Sequence, residues 1–88
     1  MNRLKKRNIE PSLADRTSWA QSAVASFAQA NDLAEDLRTD PQTVLTDLLT
    51  DLMHWCDAQK RGGRIKRAID FESALSQACR HFKEETAE

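Results

Sequence analysis

Two glycines and two prolines are all that this sequence offers for sharp turns, too few for a disordered or β-rich chain. Two cysteines make no disulfide framework, so reduced, buried thiols are expected. No apolar run approaches the roughly 18 residues a membrane span requires. The basic start, MNRLKKRNIEPS, is not followed by the apolar segment of a secretory signal. The expected setting is therefore cytoplasmic, with no membrane contact. There is no excess of either charge: 13 Lys and Arg stand against 14 Asp and Glu, a net charge of −1, which excludes a protein that wraps nucleic acid over its whole surface. Local basic patches remain open. A Gly-rich phosphate loop, a nucleophile elbow and a dinucleotide fingerprint are all missing, because the pair Gly62 and Gly63 lacks a preceding strand and the necessary spacing. No cofactor is expected.

What the sequence does have is alanine, leucine, glutamine, arginine and acids in helix-forming proportions, and the fold class it implies is all-α. A chain of this size buries only about 60 to 65% of its unfolded surface, so every large apolar group counts. Ser12, with Asp15 three residues on, reads as an N-cap for a first helix over about 13–31. At ~100° per residue, Leu13, Ala20, Ala23, Val24, Phe27 and Ala28 share one face, with Trp19 and Ala30 at its edge. Asp32 followed by Glu35 resembles a second capping signal, and a short helical turn is expected near 33–38. Thr39 or Asp40 then caps a second helix over 41–60, with Pro41 in its first turn. In that helix Val44, Trp55, Leu48, Leu52, Leu45, Cys56, Leu49 and Met53 occupy an unbroken arc of about 180°, wider than the stripe of ~100° that one partner requires. Asp70 caps a third helix over about 70–85, on which Phe71, Leu75, Ala78 and Phe82 align, with Cys79 beside them.

The expected architecture is a small three-helix bundle whose second helix is central, flanked by the first and third, with its core completed in a dimer. Residues 1–11 form a basic arm, 12–86 one helical domain, and 60–69 a basic, glycine-containing loop within it. The division of the wide arc assigns Val44, Leu48, Leu52 and Trp55 to the intrachain core and Leu45, Leu49, Met53 and Cys56 to the protein interface.

Three chemistries compete with that reading. His54, Cys56, Cys79 and His81 comprise a familiar zinc ligand set, yet residues two apart on a helix point about 200° from each other, so no metal site is expected. Asp47, Asp51 and His54 share a face at i, i+4 and i+7, as in a metal-dependent hydrolase of the helical pyrophosphatase type. Those sites draw glutamate pairs from several helices, and this chain has no glutamate between Glu35 and Glu72; no catalytic residues are expected. Charge, lastly, is segregated. Arg3, Lys5, Lys6, Arg7, Lys60, Arg61, Arg64, Lys66 and Arg67 hold nine of the 13 cations, while 32–57 carries seven acids against Arg38. The alternative function is accordingly a small nucleic-acid-binding regulator that uses the arm together with Lys60, Arg61, Arg64, Lys66 and Arg67 against phosphates.

The segments DLLTDLMHWCDA (Asp47 to Ala58) and IDFESALSQACRHF (Ile69 to Phe82) resemble a group of short, mostly uncharacterised all-helical bacterial proteins often carried on plasmids, phages and other mobile elements. The resemblance covers about half the chain, from Pro41 to Phe82, through residues that are chiefly structural. It implies a helical fold and no particular activity. The segment KRGGRIKRA departs from the group, in which the two helices are joined by a shorter, less basic turn. The expected function is a non-enzymatic helical interaction module or accessory factor of unknown pathway, with a second copy of itself as the expected partner and another protein as the further candidate.

Overall fold

A computed structural model describes residues 11–62 and 69–87. They form four helices: α1, Leu13–Ala30; α2, Ala34–Thr39; α3, Pro41–Lys60; and α4, Phe71–Thr86. No strand occurs among the described residues. The chain is all-α, and the expected helical turn near 33–38 is a helix of its own, so four helices replace three. The chain divides into two compact units, the first ending at Leu45 and the second beginning at Thr46. The divide falls inside α3, within the stretch that the sequence treats as one domain. Each unit is described by itself.

In the first unit α1 begins with a reciprocal cap. The Asp15 amide donates to the Ser12 hydroxyl at 3.0 Å, and the Ser12 amide donates to the Asp15 carboxylate at 3.3 Å. The helix ends in a left-handed turn. Asp32 has φ +61°, its amide donates to the Gln29 carbonyl at 3.3 Å, and the Leu33 amide reaches back to the Ala28 carbonyl at 2.7 Å. This double closure is the Schellman arrangement, with Asp in the place where glycine is usual. Asp32 is thus the terminator of α1 and not the cap of α2. The residue at the α2 N-cap is Leu33, which supplies no side-chain bond, and Glu35 accepts from the Arg38 guanidinium at 2.7 Å instead of closing a capping box.

The turn holds α2 against α1. This pairing lies within the first unit. Its physical reason is local: three residues separate α1 from α2, so little loop entropy opposes the contact. Ala28 is 1% exposed, and Val24, Phe27, Leu33 and Leu37 are half-buried around that closure in sequence. Ala20 and Ala23, expected on the same face, are exposed, as is Leu13. Val44 is completely buried.

Asp40 caps α3: one carboxylate oxygen accepts from the Thr43 amide at 3.4 Å, the other from the Thr43 hydroxyl at 2.8 Å. Pro41 takes the first helical position, where a missing N–H has no consequence. At the far end the amides of Arg61 and Gly62 fold back to Ala58 and Gln59. Gly62 has φ +128°, a backbone state that side-chain-bearing residues avoid. In the second unit Asp70 caps α4 by accepting from the Ser73 amide at 2.8 Å.

Candidate functional site

The middle of α3 carries an uncovered apolar face. Its two buried residues, Val44 and Cys56, lie near opposite ends of the helix. Between them Leu45, Leu49, Leu52, Met53 and Trp55 are 44, 37, 40, 49 and 47% exposed, and Leu48 is half-buried. Leaving a leucine half in water forgoes roughly 1 kcal/mol of the 1.5–3 kcal/mol that its full burial would contribute. Five such residues on one helix are a substantial uncollected stabilisation.

This placement changes the division of the arc. Leu52 and Trp55, expected in the intrachain core, are exposed. Cys56, expected at the interface, is buried within the chain. Leu45, Leu49 and Met53 are exposed as an interface would require. The signal that places Leu52 with them was present in the sequence: Leu45, Leu49, Leu52 and Cys56 follow one another at intervals of four, three and four, the spacing of a helix–helix seam. Allotting the two sides of the arc by angle alone splits this seam.

The opposite side of α3 is chemically quiet. Asp47, Asp51 and His54 are exposed, and the Thr50 hydroxyl donates back to the Thr46 carbonyl at 2.9 Å within the helix. Among the described residues no group of three or more His, Cys, Asp and Glu side chains is placed to hold a metal ion. Cys56 and Cys79 are both free thiols, one buried and one exposed. Of the five residues considered for phosphate contact, Lys60 is exposed. Arg61 is engaged with Asp57 at 3.2 Å one helical turn back. Arg64, Lys66 and Arg67 lie outside the described residues, as does the arm over 1–10.

A second uncovered face belongs to α4, which buries none of its residues. Leu75 is 47% and Phe82 67% exposed, while Phe71 is half-buried. On the neighbouring flank an open groove of about 530 Å³ runs past Asp70, Ser73, Gln77 and His81, with Ala74 and Ala78 along it. No helix among the described residues is long and apolar enough to cross a membrane. Comparison with protein-family models, with curated proteins and with solved structures finds no match for this chain.

Proposed function

We propose that this chain is a non-enzymatic helical interaction module that acts as a homodimer, its α3 face covered by the same face of a second copy. The observation that carries the reading is the leucine seam of α3, with Leu49 and Leu52 exposed at its middle and Met53 and Trp55 beside them. Seam spacing of four and three is what two helices need to interlock side chains along their length. A second copy is the simplest occupant, because a two-fold axis lets one apolar face complement itself. The absence of charge from this arc favours a buried contact over a solvated one. Placement in a bacterial cytoplasm, as an accessory factor of a mobile element, rests on the resemblance of the α3 and α4 segments alone.

Sedimentation velocity at micromolar concentrations tests the reading. The unmodified chain is expected to sediment as a dimer. Leu49→Asp, which puts a charge at the centre of the seam, raises the dissociation constant at least about tenfold, equivalent to ~1.4 kcal/mol, with the helical circular dichroism retained. An unmodified chain that sediments as a monomer throughout that range refutes the proposal.

A further inference from the structure

The geometry points to a second contact in the same assembly: α4 pairs antiparallel with α4 of the second copy. This inference rests on the homodimer reading above but uses a different helix. Phe71, Leu75, Ala78 and Phe82 repeat at four, three and four, and at ~100° per residue they fall within about 60° of one another, a narrow seam of the two-helix type. None of the four is buried; Phe82 is 67% and Leu75 47% exposed.

Charge selects the occupant and its direction. On the same wheel Glu72 and Lys83 stand to one side of the seam, and Asp70 and His81 to the other. In an antiparallel pair each side of the seam meets its own kind. With a two-fold axis crossing α4 midway between Leu75 and Ala78, Leu75 faces the small Ala78 of the second copy, and Phe71 faces Phe82. Glu72 then lies within about two residues, ~3 Å along the axis, of the second copy's Lys83, and Asp70 within the same offset of His81. Asp70 spends one carboxylate oxygen on the Ser73 amide. Every one of these pairings occurs twice. A parallel pair would instead set each flank against the opposite one, bringing Glu72 beside the second copy's Asp70 and Lys83 beside its His81.

Charge reversal in the full chain, read by sedimentation velocity with circular dichroism as the control for folding, tests the pairing. Glu72→Lys and Lys83→Glu are each expected to raise the dimer dissociation constant roughly three- to tenfold at low salt. The double variant, in which the pair is restored with the charges exchanged, is expected to return to within about twofold of the parent. A second readout is disulfide trapping in a Cys79→Ser background. A tagged Leu75→Cys chain mixed with an untagged Ala78→Cys chain is expected to give the mixed disulfide in preference to either self-disulfide. Single reversals without effect, a double variant no better than the singles, or dominant self-disulfides overturn the antiparallel pairing. A dimer that Leu49→Asp dissociates and the reversals leave unchanged overturns it while the α3 contact stands. A dimer weakened by the reversals, rescued by the double variant and indifferent to Leu49→Asp supports the α4 pairing and removes α3. A chain monomeric at every concentration overturns both.

Discussion

The amide of Leu33 donates to the carbonyl of Ala28 at 2.7 Å, five residues back, across a turn whose pivot is Asp32 at φ +61°. That bond both ends α1 and aims α2 back along it. A left-handed backbone is costly for most L-residues, by roughly 1–2 kcal/mol, and Asp tolerates it better than most because its short side chain can bond locally. The turn therefore sits at a position where side-chain identity tunes stability through the backbone. Asp32→Gly is expected to leave the protein as stable or to add about 0.5 kcal/mol, the relief of the turn being offset in part by a more flexible unfolded chain. Asp32→Val is expected to cost about 1–2 kcal/mol. Urea unfolding followed at 222 nm measures both, and a valine variant as stable as the parent would refute the left-handed pivot.

The same turn explains where the sequence was readable and where it was not. Three helix starts were legible because capping is local chemistry. Ser12 with Asp15, Asp40 with Pro41, and Asp70 each announce themselves within four residues. Asp32 and Glu35 present the same pattern and do something else, since an acid three residues before another is compatible with a cap or with a left-handed terminator. The choice is made by which carbonyls remain to be closed behind it. Burial was less legible still. The apolar arc of α3 can be read from periodicity, but periodicity cannot tell which part of an arc its own chain covers. Val44 and Leu52 differ by only ~80° on the wheel, yet one is wholly buried and the other 40% exposed.

That contrast yields a pair of expected outcomes. Val44→Ala removes two methyl groups from a fully closed site and is expected to cost about 2 kcal/mol of folding stability, through lost transfer energy and the cavity left behind. Leu52→Ala removes more carbon from a site that is open in the single chain. At concentrations low enough to hold the protein monomeric it is expected to cost about 1 kcal/mol or less. Denaturant titration of both variants at matched low concentration checks the order, which reverses if Leu52 and not Val44 is the anchored residue.

Helix initiation at Ser12 offers a cleaner test of a single contact. Ser12→Ala removes the acceptor for the Asp15 amide and leaves the Asp15 carboxylate to bond the Ser12 backbone alone. The expected loss is about 1 kcal/mol. Amide hydrogen exchange should accelerate in the first turn of α1 while α4 is unchanged. Uniform acceleration across the chain would mean that the cap is not a local feature.

Tryptophan emission can report whether the α3 face is covered in solution. Trp55 is 47% exposed in the single chain, while Trp19 is half-buried on α1, so a Trp19→Phe variant leaves Trp55 as the reporter. Association through α3 removes water from one side of this indole. By mass action the covered fraction rises with concentration. Emission from Trp55 is therefore expected to move to the blue as the protein is concentrated from the nanomolar into the micromolar range, and to return to the red in the Leu49→Asp background at the same concentrations. Because a change in the chain's own fold would not depend on concentration, the two causes separate. An emission maximum constant across the whole dilution series, with sedimentation showing a dimer at its upper end, would place Trp55 outside the contact and confine the covered face to Leu45, Leu49, Leu52 and Met53.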